Sequence, residues 1–247
     1  MSMFQASPEQ EGEHSSNLAN ELAETYANMA QIEELDAWTA KALYDRLVEP
    51  FPEGLGKETS RAERQVQNLN SSTLVYGEIT FDPFAEQLLK LQDFGGLAQQ
   101  GGNFYDIGCG TGKPVFAAAL LHRFDKCVGI EILSGLYGIS MHIMDIWNTQ
   151  VQPALPRTNQ ETEIGFIHGD ATVLDWRDGD VVFMNSTCFG DELMETLAAQ
   201  AEGLKPGAFV ITTTRKLPSE EFELLHVSKM VETWGTATVF IHKRQGE

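Results

Sequence analysis

Asp106, Gly108, Gly110 and Gly112 stand at alternate positions in Phe104-Tyr-Asp-Ile-Gly-Cys-Gly-Thr-Gly-Lys-Pro-Val115. An apolar run ends in an acid, glycines follow, and Pro114 sits where a helix opens its first turn. Glycines so placed let the backbone turn sharply and let a ligand approach to contact distance. That ligand lies at the carboxyl end of a strand and against a helix N-terminus. The spacing selects among ligands. Dinucleotide folds use G-x-G-x-x-G and seat a pyrophosphate on the helix. Here the pattern is D-x-G-x-G-x-G, and the carboxylate before the loop repels a pyrophosphate but suits an ammonium group. Glu131 ends the next apolar run, about 20 residues further on, where nucleotide folds grip ribose hydroxyls with an acid. The alternative for both acids is to cap turns, with no ligand.

The glycine loop resembles the first motif of the Rossmann-like S-adenosylmethionine-dependent methyltransferases. The resemblance implies S-adenosyl-L-methionine as cofactor. It places the amino-acid end of the cofactor near Asp106, against Gly108, Gly110, Thr111 and Gly112. It assigns the ribose to Glu131 and the adenine to Asp170 and Ala171 in His168-Gly-Asp-Ala171. Two further segments are more specific. Val75-Tyr-Gly-Glu-Ile-Thr80 resembles the Y-G-E-[IV] motif of the disruptor-of-telomeric-silencing (DOT) type of histone-lysine methyltransferase. Val181-Val-Phe-Met-Asn-Ser-Thr-Cys-Phe-Gly190 is similar to that family's V-x-x-N-x-x-x-F-G segment. The likeness implies that Glu78 reaches the cofactor from a loop folded over it. It puts Asn185 beside both cofactor and transferable methyl, has Phe189 wall the channel where the acceptor arrives, and counts Tyr76 with them as a catalytic candidate. Read without the family, Tyr76 and Phe189 fit core packing and Asn185 fits a strand-end cap. The chain departs from the family at Thr187, where an aromatic is expected. Near the C-terminus Trp234 is kept, but Gly235-Thr-Ala-Thr-Val239 lacks a paired aromatic.

The leading expectation is therefore methyl transfer to a lysine side chain of a basic protein, a histone or another. The rivals are a small-molecule N- or O-methyltransferase, with residues 17–50 as its lid, and an inactive cofactor-binding interaction module. An NAD-dependent reductase comes last. No His, Cys and carboxylate cluster has metal-ligand spacing, so no metal is expected. His168, His226 and His242 read as structural.

Charge narrows the partners. The chain has 247 residues with 36 acidic and 17 basic side chains, for a net charge of −19. Phosphate binding rests on Lys and Arg, so no direct nucleic acid is expected, and an anionic membrane is disfavoured too. A basic protein segment remains, drawn in with strong salt dependence. The longest apolar run, Val115–Leu121, falls far short of the roughly 20 residues of a membrane span. Three scattered cysteines, Cys109, Cys127 and Cys188, suit a reducing compartment, cytoplasmic or nuclear.

These residues need a scaffold. Apolar runs at Asn103–Ile107, Cys127–Glu131, Gly165–His168, Val181–Met184 and Phe209–Thr213 alternate with helical patterns at Pro114–Arg123, Leu133–Thr149 and Asp191–Gly203. That alternation predicts an α/β fold, a mostly parallel sheet with helices on both faces. Glu223–Lys229 and Ala237–Lys243 predict an antiparallel pair that closes it. With the resemblance, the expectation is a Rossmann-like seven-stranded methyltransferase sheet whose last strand is antiparallel, behind an N-terminal helical extension. Residues 1–14 read as an acidic tail, and Asn17–Val48 as a helical zone stopped by Pro50 and Pro52. A helix is expected from Phe84 to Leu91, with Pro83 in its first turn and Asp82 as its cap. The division is thus 1–60, tail and extension, and 61–247, methyltransferase domain.

Overall fold

The computed structural model describes residues 35–68, 74–232 and 235–246. The expected tail, the start of the expected N-terminal helical zone and Trp234 lie outside the described residues. One seven-stranded sheet organises the chain, in the order β3-β2-β1-β4-β5-β7-β6. The strands are β1 (Asn103–Ile107), β2 (Lys126–Glu131), β3 (Glu163–His168), β4 (Val181–Met184), β5 (Phe209–Thr213), β6 (Phe222–Glu232) and β7 (Gly235–Arg244). The first five are parallel to their neighbours, and β7 runs antiparallel between β5 and β6. This is the expected seven-stranded, mostly parallel sheet, with its last strand antiparallel.

Period-two alternation divides the sheet into two cores. On one face Phe104, Cys127, Val181, Phe183, Phe209 and Ile211 pack beneath helices. Those helices are α1 (Ala37–Val48), α3 (Phe81–Lys90), α4 (Lys113–Leu121) and α5 (Ser134–Ile146). On the other face Tyr105, Ile107, Val128, Ile130, Val182 and Val210 pack against Met194, Leu197 and Ala198 of a later helix, Asp191–Ala201. α1 buries Ala40, Leu43, Tyr44 and Leu47 in the first core, so this helix is held by the same apolar burial as the sheet.

Two local readings are corrected. The cap of α3 is Thr80, not Asp82, and its own hydroxyl does not close the turn. Instead Glu232, at the end of β6, accepts from both the Thr80 amide at 3.0 Å and its hydroxyl at 2.9 Å. Asp82 lies one residue inside the helix, beside Lys41. The second correction is an unforeseen helix, α2 (Glu53–Val66). The expected division after residue 60 falls inside it. Its sequence EGLGKETSRAERQV has two glycines and almost no apolar stripe. Its start signals were present: Pro52 before an acidic first turn, and Glu53 paired with Lys57 four residues on.

Candidate functional site

Strand order reverses about β1, which has β2 on one side and β4 on the other, and open α/β sheets bind ligands at that switch point. A cavity of about 400 Å³ opens there, at the carboxyl ends of four parallel strands. Its wall takes Ile107 and Gly108 from the end of β1, and Ile130–Leu133 from β2. It takes Gly169–Thr172 from beyond β3, and Asn185, Thr187, Cys188 and Phe189 from beyond β4. Lys57 and Leu74–Gly77 close it from the side. α1 adds nothing to this wall.

Of the residues singled out from sequence, Tyr76, Gly108, Glu131, Asp170, Ala171, Asn185 and Phe189 meet at the cavity. Glu78, Asp106, Gly110, Thr111 and Gly112 lie behind its wall. Gly112 shows why. A Cβ there would stand 2.3 Å from the Phe166 ring, so this glycine serves helix-to-strand packing. A Cβ on Gly108 would stand 3.2 Å from the Phe189 ring, which lies over the loop.

The Y-G-E segment is fastened onto the glycine loop. The Tyr76 ring lies against Gly110 and Gly56, where added Cβ atoms would come within 2.3 and 2.5 Å of it. Gly110 also has φ +58°, a left-handed conformation that costs other residues strain. The Tyr76 hydroxyl donates to Glu78 at 2.9 Å and stands 2.9 Å from the Thr111 hydroxyl. Burial, with the Glu78 charge second, pushes the phenol well above its ordinary value, so it stays protonated and donates. Lys113, at the start of α4, pairs with Glu78 at 2.5 Å and donates to the Phe51 carbonyl at 2.7 Å. Both side chains are buried. Asn185 completes the fastening: its Nδ2 donates to the Gly77 carbonyl at 2.8 Å.

The two acids of the nucleotide pattern behave differently. Glu131 accepts from the Gly110 amide and the Leu133 amide, both at 2.8 Å, so it shapes the loop. It also lines the cavity, and each oxygen keeps a further lone pair. Among the described residues Asp106 caps no turn. It is 1% exposed, and its Oδ2 is buried with no partner among the described residues. Burial, then the Glu131 charge, holds its pKa well above the usual 3.8. Asp170 turns its own loop, accepting from the Thr172 amide and hydroxyl.

Sequence reasoning passed over the supports. On α2, Ser60 donates to the Leu74 carbonyl at 3.3 Å. Glu63 accepts from the Ser134 and Gly135 amides at 2.9 and 2.7 Å, capping α5 beside the Glu131 turn. At the end of β5, Thr213 and the following Thr214 join Thr187 around Asn185. Thr214 has φ +63°, rare for a β-branched residue and of order 1–3 kcal/mol in cost. His242 was read as structural and is fully buried, accepting from the Leu217 amide and facing the Val210 carbonyl. Among the described residues no group of three or more His, Cys, Asp or Glu could hold a metal, and no helix is long and apolar enough to cross a membrane.

Residues 59–237 match the family described as Histone methylation protein DOT1. The chain belongs to that family. A relative from Dictyostelium discoideum, the histone-lysine N-methyltransferase, H3 lysine-79 specific, is 31% identical over 126 residues. Those residues make up 50% of this chain and 7% of that much longer protein. Solved structures of low identity are also similar. An RNA methyltransferase from Salinibacter ruber, in complex with S-adenosyl-L-homocysteine, is 21% identical with a TM-score of 0.47, covering 69% of this chain and 95% of that one. Magnesium protoporphyrin IX methyltransferase from Synechocystis PCC 6803, with bound SAM, is 13% identical with a TM-score of 0.49, covering 83% and 90%.

Proposed function

We propose that this DOT1-family chain transfers a methyl group from S-adenosylmethionine to a lysine side chain of a basic protein. One observation carries the reading: a Y-G-E loop fastened onto a D-x-G-x-G-x-G turn, with Asn185 joining that loop to the end of β4.

The residues present fit the cofactor. Asp106 holds a buried, unpartnered carboxyl oxygen behind the wall, and an ammonium group reaching the turn would draw it into its charged form. Glu131 offers lone pairs suited to hydroxyls, and Ile107, Ile130, Ile132 and Leu136 offer an apolar wall suited to a base. The volume lies within the roughly 300–1,000 Å³ of small-molecule sites. When bound, the cofactor supplies an electrophilic methyl on a sulfonium. What the chain does is hold, orient and exclude water. Phe189 and Leu193 give the acceptor an apolar approach along which a lysine stem packs. The ammonium must shed its proton before it can attack, and such surroundings lower its pKa.

The charge of −19 favours a basic acceptor segment over wrapped DNA as the docking surface. A histone or another lysine-bearing protein meets that need, and the protein then works in nucleus or cytoplasm. The test is incubation with methyl-labelled cofactor and whole-cell protein. Label on lysine in a protein band is the expected result. Label confined to the small-molecule fraction overturns the reading in favour of a small-molecule acceptor, and no label at all overturns it in favour of an idle cofactor-binding module.

A further inference from the structure

We propose, resting on the methyl-transfer reading, that Thr187 and Thr213 are positioning residues that lock the Asn185 carboxamide, so that it offers the reacting centre a hydrogen-bond donor and no acceptor. Asn185 Oδ1 accepts from Thr213 Oγ1 at 2.8 Å and from Thr187 Oγ1 at 3.1 Å, which fills both of its lone-pair sites. Nδ2 donates to the Gly77 carbonyl at 2.8 Å. The reversed amide would set its oxygen against that carbonyl, acceptor facing acceptor, so the partners fix which way the group points.

The hydroxyl hydrogens can be followed one by one. Those of Thr213 and Thr187 go to Oδ1. Thr214 Oγ1, 3.1 Å from Thr187 Oγ1, supplies the hydrogen that Thr187 then accepts. The left-handed turn at Thr214 is what brings its hydroxyl to that point. One hydrogen remains: the second on Nδ2, which has no partner among the described residues. Asn185 and Thr187 both line the cavity, so this hydrogen is what the carboxamide has left to offer there.

The consequence is selective. A protonated amine only donates, and finds no acceptor on Asn185. A neutral amine, the form able to attack the methyl, loses less by that, because its N–H groups are weaker donors. A carboxamide free to flip would present Oδ1, stabilise the ammonium and hold the acceptor in its unreactive state. Thr187 stands where the family resemblance called for an aromatic, so in this chain that position acts through a hydroxyl.

The test uses the full chain labelled with ¹⁵N. The Asn185 Nδ2 signals are identified by their loss in Asn185→Asp. In the wild type two well separated, slowly exchanging hydrogens are expected. In the double variant Thr187→Val/Thr213→Val they should broaden or converge, and in Thr213→Ser they should stay as in the wild type. Unchanged signals in the double variant overturn the lock. The second measurement is the pH profile of methyl transfer to protein lysine. Its acidic limb should move to higher pH in the double variant, with kcat near neutrality down about tenfold, the loss expected for two hydrogen bonds. Thr213→Ser should keep the wild-type limb. A limb that stays in place overturns the role in acceptor choice. Failure of the wild type to methylate lysine overturns the underlying reading instead, and the amide signals still decide the lock.

Discussion

At the scale of single residues, two positions around the glycine turn carry distinct predictions. Gly110 is in the left-handed region and touches the Tyr76 ring, so a methyl group there meets both strain and collision. Gly110→Ala should weaken S-adenosylhomocysteine binding by at least about tenfold, read by calorimetry, because the loop and the Y-G-E segment can no longer close together. Asp106 gives a pH signature. Its folded pKa lies well above 3.8, so from that value upward the folded chain keeps a proton that the unfolded chain has lost. The folded state then binds more protons, and stability falls as pH rises until the folded pKa is passed. Asp106→Asn should flatten that fall in urea unfolding as pH rises above the usual carboxylate value. An unchanged slope would assign it to another group.

At the scale of elements, α2 is the support that carries no chemistry. Burial works against the Glu63 charge, but the Gly135 and Ser134 bonds outweigh it, and the net effect lowers its pKa below 4.5. Its contribution is therefore present above that value and lost as pH falls through the folded pKa. Glu63→Gln should cost about 1–2 kcal/mol at neutral pH by weakening the cap of α5. The check is urea unfolding, with cofactor-product affinity as the second readout, because α5 begins beside the Glu131 turn. β7 carries a second acid-sensitive group, one in which burial prevails. Burial lowers the pKa of His242 from 6.5 to about 4. The unfolded chain binds more protons within that window, so stability should fall as pH drops from 6.5 towards 4. A tenfold change in proton affinity is about 1.4 kcal/mol, which makes the loss roughly 3 kcal/mol. His242→Gln should remove this acid sensitivity.

At the scale of the whole molecule, α1 and α3 share one core with the sheet. Leu47 on α1 is 1% exposed and belongs to the same cluster as Phe104 and Val115. Leu47→Ala should destabilise the entire chain by about 2–5 kcal/mol while unfolding stays a single transition. Two separated transitions in calorimetry would show that α1 folds apart from the sheet. The cavity belongs to this scale too, since four strand ends, a loop and α2 each contribute to its wall.

The sequence by itself determined the alternation of strands and helices, the glycine turn and the two family segments. Those are local: period-two burial marks a strand, and a glycine at a sharp turn is visible in a dozen residues. Asp106, Glu131 and Asn185 were legible for that reason. Only the tertiary structure decided what each of them faces. Glu131 proves to bond the loop it follows, while Asp106 keeps a free oxygen, a distinction set by which amides the fold brings within reach. The polar helix α2 was invisible to hydrophobic periodicity because it buries a glycine and a serine in place of an apolar stripe. The threonines around Asn185 were equally hidden, since Thr213 and Thr187 lie 26 residues apart in sequence and meet only because β4 and β5 are neighbours in the sheet. Local pattern specifies elements, whereas hydrogen-bond partners across the chain are chosen by packing.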